Sequence, residues 1–554
     1  MSERSGADLV VDCLAAEGVT HVFGLPGTTI MDVIDALARQ GAIRYLSTRH
    51  EQVAGFMADG FSRGGGSLGV CLASRGPGAA NLAIAVQNAH DESIPMLALI
   101  GQVPSSIVER RSFEEMDVVS TFRPMCKWAV EVHQAARIPE LLQRAVRTAV
   151  TGRPGPVVLS LPLDVLQAPA TAVPGPKVRF HPPAPDPAGI AEAAWLLAAA
   201  ERPAIIAGGG ARDPAALLDL AEAAGAPVVS TWLRKNAVPN GHPAYLGPLG
   251  YGAHEVSDRL VRDADVIVAL GCRFSEFTTK RWTLVPASAQ LVHVDIDPDE
   301  LGRVHPPRVG LVSDATAAAR ALAAALAPPA AADPGRADRR RQRRDALRKE
   351  FADAATLPEA ASSAAGVSSA ALAHAVQVLA DRDGTVLVQD VHTFGPWIAR
   401  HVGFDRTGSY HASAGGAMAW GFPAAMGLAL ARPDQRVVSL SGDGSFWMVA
   451  QDLETCVRER IPVVNVVVNN YAYGNTRDRQ RTAHDGRYHG VFLDNPDLAA
   501  YARLLGAHGA RVTTDAEVGP AIEEALAQPG PGIVDVVQDR MEGLPPGLVP
   551  PAAK

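Results

Sequence analysis

The sequence predicts an α/β protein of three consecutive doubly wound, parallel-sheet domains. Three observations carry this expectation. Short apolar runs of strand length recur along the chain, and helix-like segments separate them, which is the pattern of parallel strands with helices on both faces. At 554 residues the chain is too long for a single hydrophobic core. Two proline- and alanine-rich stretches then cut it into three blocks of comparable size.

The first block, residues 1–166, opens on the amphipathic "SGADLVVDCLAAEG" and continues through "HVFGLPG", "SLGVCLAS", "PMLALIGQV" and "GPVVLSLP". Residues 167–187 form a proline-rich, extended linker. The second block, 188–327, alternates in the same way through "PAIIAGGG", "APVVST", "ADVIVALG" and "QLVHVDID". A second linker, 328–367, contains the basic "GRADRRRQRRDALRKEF", read as the solvated face of a linker helix. The third block, 368–540, carries "TVLVQDV", "VVSLSGDG", "PVVNVVVNN" and "GIVDVVQ", and 541–554 is a C-terminal tail.

Composition narrows the function classes. A net charge of -8 argues against a nucleic-acid partner, whatever the local basic cluster. No apolar run is long enough to cross a membrane. The N-terminus reads as a charged amphipathic helix, not as a secretion signal. Five cysteines lie scattered without metal spacing or a disulfide framework, which fits a cytoplasmic protein.

The chemistry concentrates in "SGDGSFWMVAQDLETCVRERIPVVNVVVNN", residues 441–470. One apolar run stops at Gly-Asp-Gly. Phe446, Val449, Leu453 and Val457 then predict a helix, Pro462 stops it, and a second apolar run ends at Asn-Asn. The strands of such a βαβ unit are parallel, so Asp443 and Asn470 fall at carboxyl ends, where ligands bind in open α/β sheets. An aspartate, an asparagine and a loop carbonyl are hard oxygen donors suited to Mg²⁺ or Ca²⁺, with positions left for phosphate oxygens and water. Gly444 lets the backbone come close, and a helix starting near Ser445 favours phosphate at its N-terminus. Taken singly these are an ordinary turn aspartate and capping asparagine; their combined spacing makes the site.

This pattern resembles the diphosphate-binding motif of the thiamine-diphosphate-dependent enzymes. The resemblance extends over nearly the whole chain, toward the acetohydroxyacid (acetolactate) synthase group. It implies a pyrimidine-binding (PYR) domain, a central domain and a diphosphate-binding (PP) domain for the three blocks, and thiamine diphosphate and Mg²⁺ as cofactors. The implied metal ligands are Asp443, Asn470 and the carbonyl of Ala472. The implied diphosphate contacts are His392, Thr393 and Phe394 of "QDVHTF", Gly444 and Ser445, and Tyr473 and Gly474 of the loop after Asn470. Thiamine chemistry also needs a carboxyl group at N1′ of the cofactor's aminopyrimidine. The resemblance assigns it to Glu51 in "YLSTRHEQVAGFMADGFSR". In "SAGGAMAWGFPAA" it assigns the 4′-amino acceptor to Gly416 and the residue holding the cofactor bent to Met418, with Met448 beside the pyrimidine. Glu51 and Asp443 belong to different domains, and in this family the cofactor lies between two subunits, which implies a homodimer or homotetramer.

The implied reaction is decarboxylation of a 2-oxoacid to an acyl-anion (enamine) intermediate and its transfer to an aldehyde or ketone. The substrate pocket departs from the synthase pattern. Phe277 stands where the synthases have a carboxylate-reading arginine, Arg479 where they have a tryptophan, Tyr251 for a methionine, Glu114 for a glutamine after the matching Phe113, and Thr28 for a glycine. An arginine fork on a carboxylate has a geometry that phenylalanine lacks, and Arg479 offers itself as an anion contact instead. FAD is a further cofactor the resemblance allows. Arg153, the turn Gly208, Gly209 and Gly210, Arg273 and Asp314 match flavin-contacting positions, although relatives with ADP or nothing share some of them. The alternatives are a 2-oxoacid decarboxylase without carboligation and a flavin-linked oxidase of the pyruvate-oxidase kind. Intact Glu51 and metal ligands argue against a non-catalytic subunit.

Overall fold

The structure is a computed structural model that describes residues 4–65, 68–326, 334–360, 366–545 and 548. Residue 327, the parts of the second linker at 328–333 and 361–365, and the parts of the tail at 546–547 and 549–554 lie outside the described residues. Three six-stranded sheets follow one another along the chain, and every strand pair within them is parallel.

The three sheets are not copies of one another. The N-terminal sheet runs Arg44–Ser47, His21–Gly24, Gly69–Ala73, Met96–Gln102, Pro156–Pro162, Trp128–Glu131 from edge to edge, which is order 2-1-3-4-6-5 within the domain. The C-terminal sheet, Tyr410–Ala412, Thr385–Gln389, Arg436–Gly442, Val463–Asn469, Gly532–Val537, His508–Val512, has the same order. The central sheet, Tyr245–Pro248, Val228–Ser230, Pro203–Ala207, Val266–Leu270, Gln290–Asp295, Val309–Val312, has order 3-2-1-4-5-6, that of dinucleotide-binding folds. In each, the strand order reverses at one point, and a crevice opens there outside the carboxyl ends.

The N- and C-terminal domains pack helix on helix. Glu51–Gly65 crosses Gly421–Ala431 so closely that a Cβ on Gly60 would lie 1.9 Å from the Ala424 carbonyl oxygen, and one on Gly427 1.9 Å from that of Met57. One hydrophobic core runs through this crossing, from Phe56 and Met57 to Phe422, Ala425 and Phe446. Ion pairs reinforce it: Arg49 donates to Glu454 at 2.8 Å and Arg44 to Glu459 at 2.9 Å.

Two expectations need correction. The helix predicted after Gly-Asp-Gly is broken into Asp443–Phe446, a 3₁₀ turn Ala450–Asp452 and Leu453–Glu459. Phe446, Val449 and Leu453 are all buried, so core packing holds the apolar positions while the backbone between them departs from helix. The basic segment does form a helix, Pro334–Ala355, with Arg339, Arg341 and Lys349 exposed as expected, but one of its arginines turns inward. Arg340 is buried and donates to the Ala200, Ala224 and Leu197 carbonyls, which end two helices of the central domain. Leu347 and Phe351 join that domain's core. The arginines cap helix C-termini, where the dipole favours positive charge. The five cysteines are buried and unpaired, and no described helix is long and apolar enough to cross a membrane.

Candidate active site

The C-terminal switch point lies between Thr385–Gln389 and Arg436–Gly442, and a pocket opens there. Residues after three strands line it: His392 and Thr393 after the first, Asp443 to Ser445 after the second, and Asn470, Ala472 and Gly474 after Val463–Asn469. Gly442 pairs in register with Val468, so the neighbouring parallel strands put Asp443 level with Asn469 and bring Asn470, one residue on, to the same end of the sheet. The apolar sequences of both strands, Val-rich and buried on both faces, demand this central placement.

Asp443 is buried. Its Oδ2 accepts from Asn495 Nδ2 at 2.7 Å, and Asn495 also donates to Asn469 Oδ1 at 2.9 Å. Asn469 in turn donates to Asp535 at 2.8 Å. The first asparagine of the pair thus faces inward and props the carboxylate's support, while the second lines the pocket. Burial pushes the Asp443 carboxyl up to about 6 against that hydrogen bond; a bound divalent cation would reverse the preference. Asn470 Nδ2 donates to Thr393 Oγ1 at 3.4 Å.

The pocket is short of hydrogen-bond partners. Both ring nitrogens of His392 are buried and lack a well-formed hydrogen bond among the described residues, and burial pushes its imidazole down to about 3 against a backbone interaction with Leu440, so the ring is neutral. Buried polar atoms left this poorly satisfied suit a site that receives a ligand. Two glycines shape the cradle. A Cβ on Gly444 would meet the Tyr473 ring at 2.6 Å, and one on Gly474 would meet Thr393 Cγ2 at 2.5 Å. No cluster of three His, Cys, Asp or Glu side chains suited to a metal occurs among the described residues, which leaves the single carboxylate, the Asn470 amide and a loop carbonyl as the hard-oxygen set. These residues fit a Mg²⁺-bound diphosphate.

Met418 lines the same pocket. Gly416, two residues before it, has φ +74, a backbone conformation that glycine adopts without strain. Met448 is 44% exposed and Phe394 is buried in the core, so neither lines it. No residue of the N-terminal domain lines it either. Glu51 begins the helix Glu51–Gly65, four residues past the strand Arg44–Ser47. It is buried, and its Oε2 accepts from Asn81 Nδ2 at 2.9 Å.

The substrate-pocket residues separate into groups. Tyr251 and Phe277 meet edge to face at 5.9 Å, and Phe277 stacks on Trp232 at 4.8 Å, forming one aromatic cluster. Phe113, 77% exposed, lies under the Arg75 guanidinium, which also pairs with Glu114 at 3.2 Å. Thr28 is exposed in the turn of the N-terminal switch point. Arg479 is exposed and pairs with nothing among the described residues, whereas Arg477 is fully buried, held by Asp478 at 3.0 Å and by the Arg540 and Glu542 carbonyls. The ordered arginine of this loop is therefore a structural one.

In the central domain Gly208 and Gly210 lie at the switch point against Gly271, where a Cβ on Gly208 would fall 2.0 Å from the Gly271 oxygen. Gly209 lies beneath Arg234, with its Cβ position 3.2 Å from Arg234 Nε. Arg273 and Arg212 stand there without ion pairs among the described residues. Arg153 is engaged by Asp297 at 3.6 Å and Glu300 at 3.4 Å, and Asp314 caps the helix Ala315–Leu326 through Ala317 N. The sequence reading missed Asn495, Asn469 and Asn81. Asn495 and Asn81 come from segments outside the motif and carry no local signal, while Asn469 is the first of the motif's own asparagine pair, and only its contacts with Asn495 and Asp535 show its supporting role.

A diphosphate cradle at the switch point of one domain, in a chain whose first domain repeats the strand order of its third, defines an enzyme of the thiamine-diphosphate class. The thiamine pyrophosphate enzyme domains match in order: the N-terminal TPP binding domain over residues 4–121, the central domain over 190–322 and the C-terminal TPP binding domain over 390–536. Full-length relatives are acetolactate synthase large subunits. The chain is 34% identical to the probable large subunit of Methanocaldococcus jannaschii, covering 99% of this chain and 94% of that one. It is 33% identical to the isozyme 1 large subunit of Escherichia coli, with 99% and 96% covered, and 34% to isozyme 2, with 99% and 98%. The chain belongs to this family of thiamine-pyrophosphate-dependent, acetolactate-synthase-like carboligases. The decarboxylase-only and flavin-oxidase alternatives are not favoured.

Proposed function

We propose that the chain joins the acyl carbon of a 2-oxoacid, with loss of CO₂, to the carbonyl carbon of an aldehyde or ketone. Thiamine diphosphate and Mg²⁺ would be held at the C-terminal switch point. In balance, the bond to the carboxylate breaks, one carbon–carbon bond forms, and the acceptor oxygen takes a proton. The observation that carries this reading is the pocket lined by Asp443 and Asn470, at the ends of adjacent strands, and by the buried, neutral His392.

Asp443, Asn470 and the Ala472 carbonyl would bind the metal, and His392, Gly444 and Ser445 the diphosphate. When bound, the cofactor supplies the electron sink that decarboxylation requires. Glu51 would hold the proton at N1′ of the aminopyrimidine, the Gly416 carbonyl would orient the 4′-amino group, and Met418 would keep the two rings bent together. Since no N-terminal-domain residue lines the pocket, Glu51 of a second copy would complete it, making the working unit a homodimer or a multiple of one. The aromatic cluster of Trp232, Tyr251 and Phe277 supports an acceptor or donor pocket less dependent on a second carboxylate than the synthase pattern. The central glycine turn, in a sheet of dinucleotide-binding order with Arg212, Arg234 and Arg273 around it, supports FAD or another adenine nucleotide there.

Glu51→Gln tests the reading. With pyruvate as probe donor, the variant should bind thiamine diphosphate and Mg²⁺ yet release CO₂ at least about 100-fold more slowly. Full activity would sink the assignment.

A further inference from the structure

Outside the pocket, the densest buried charge lies where the three domains meet. Glu92, near the end of the N-terminal helix Pro77–Glu92, is buried, with its side chain 1% exposed. Its Oε2 accepts from Arg63 Nη2 at 3.2 Å, within its own domain, and from Arg234 Nη2 at 3.0 Å, in the central domain. Its Oε1 accepts from the backbone N–H of Ala414 at 2.8 Å, in the C-terminal domain. One carboxylate thus ties three domains. Burial opposes its charge, but Arg234 and Arg63 outweigh that and hold the carboxyl below the usual glutamate range.

The C-terminal partner is not an arbitrary backbone segment. Ala414 lies two residues before Gly416 and four before Met418, which lines the diphosphate pocket. The neighbours of Glu92 grip the same segment. Asn88 Oδ1 accepts from Ser413 Oγ at 2.8 Å and would be 2.5 Å from a Cβ on Gly415. Arg63 donates to the Ala412 carbonyl at 3.4 Å and lies 4.8 Å over the Trp420 ring. Asp59 completes the set, pairing with Arg63 at 2.6 Å and accepting from Asn88 at 3.3 Å. The third partner of the carboxylate is Arg234, whose guanidinium lies over the central glycine turn at Gly209.

We propose that Glu92 is a positioning residue. It seats the loop from Ser413 to Met418 against the N-terminal domain, so that the Gly416 carbonyl and Met418 meet the aminopyrimidine in register, and through Arg234 it makes that seat depend on the central domain. This role rests on thiamine diphosphate binding at the C-terminal switch point. A simple structural ion pair would need two partners. This carboxylate has three, and the one that carries no charge is the amide of the loop bordering the pocket. Removing the charge strips Arg234 of its carboxylate partner, leaves Arg63 to Asp59 and gives the Ala414 amide only a neutral, weaker acceptor.

The test uses the full-length protein and the variants Glu92→Gln, Glu92→Asp and Arg234→Gln. Hydrogen exchange of the amides of 412–420 reads the loop directly, without cofactor. Titration with thiamine diphosphate and Mg²⁺ reads the seat. Glu92→Gln should speed exchange at 413–418 and weaken cofactor affinity roughly tenfold. Glu92→Asp, with its charge restored, should recover part of both, and Arg234→Gln should give a smaller change of the same kind because Arg63 remains. Unchanged exchange in Glu92→Gln would overturn the proposal. So would faster exchange with wild-type cofactor affinity, or equal losses in the Asp and Gln variants, which mark a purely structural pair. A wild-type protein that binds no thiamine diphosphate in the presence of Mg²⁺ would instead bring down the cofactor reading and this proposal with it.

Discussion

The first and third domains share one strand order and differ at the point where that order reverses. In the N-terminal domain the loops at the switch point close on each other: Thr29 Oγ1 and Ser74 Oγ lie 3.0 Å apart, and a Cβ on Gly27 would fall 2.4 Å from Ser74 Cβ. In the C-terminal domain they stay apart around Asp443, Asn470 and a buried, neutral histidine whose ring nitrogens lack a well-formed hydrogen bond among the described residues. Identical topology places a crevice in both, and loop chemistry decides which one holds charge. The same contrast separates the pocket from the Glu92 junction. Both are buried and polar, but the junction's charges satisfy one another and the pocket's do not. Satisfied charge marks a clamp, and unsatisfied polarity marks a place for a ligand.

The largest effect is expected at Asp443. Asp443→Ala should weaken Mg²⁺-dependent thiamine diphosphate binding by roughly 100-fold, about 2.7 kcal/mol, as read by calorimetry. Glu51→Gln, in the matching domain, should spare binding and remove turnover; two variants with the same profile would erase the distinction between the domains. Next comes the seam between them. Gly60→Val or Gly427→Val drives a side chain into a carbonyl at 1.9 Å and should cost about 1–3 kcal/mol of stability in denaturant titrations, without altering metal selectivity. Asn495→Ala, which frees Asp443 from its support, should lower Mg²⁺ affinity roughly 10-fold while the protein stays folded.

A smaller effect concerns Lys235, which reaches from the central domain to the Ile398 and Ala399 carbonyls that end a helix of the C-terminal domain. Burial pushes its ammonium down to about 7 from the model-peptide 10.5. Between those values the unfolded chain holds a proton that the folded one has released. Stability should therefore rise with pH from 7 to 9, by about 1 kcal/mol per unit, and the slope should flatten in Lys235→Met. A slope unchanged by the substitution would assign it to other groups. The smallest effect is at Arg479, exposed and unpaired. Arg479→Ala should leave stability within about 0.5 kcal/mol and cofactor affinity unchanged, while Arg477→Ala, two residues away and fully buried, should destabilise strongly.

Much of this was legible in the sequence because it depends on local pattern. Alternating apolar runs and helical segments gave the three sheets, and the Asp443–Asn470 spacing gave the pocket's two principal oxygen donors. The helix after Gly-Asp-Gly was misjudged because its apolar periodicity survives across a 3₁₀ break that packing imposes. The basic 339–349 segment is the expected helix with exposed basic residues, but composition cannot tell a solvated arginine from one that caps a helix 140 residues away, as Arg340 does at Ala200. Arg479 drew attention by its place in the motif, yet the arginine held in order is Arg477, and only the buried carbonyls of Arg540 and Glu542 reveal it.

By itself the sequence determined the class of fold, the ends of the strands and the residues offered there, because hydrophobic period and turn chemistry are written over a few neighbouring positions. Tertiary structure alone decided the strand orders, the open and closed switch points, the prop of Asn495 behind Asp443 and the meeting of Glu92 with Arg63, Arg234 and Ala414. Those contacts join residues 29 to 322 positions apart, and no short-range pattern encodes the distance between side chains that only the packed domains bring together.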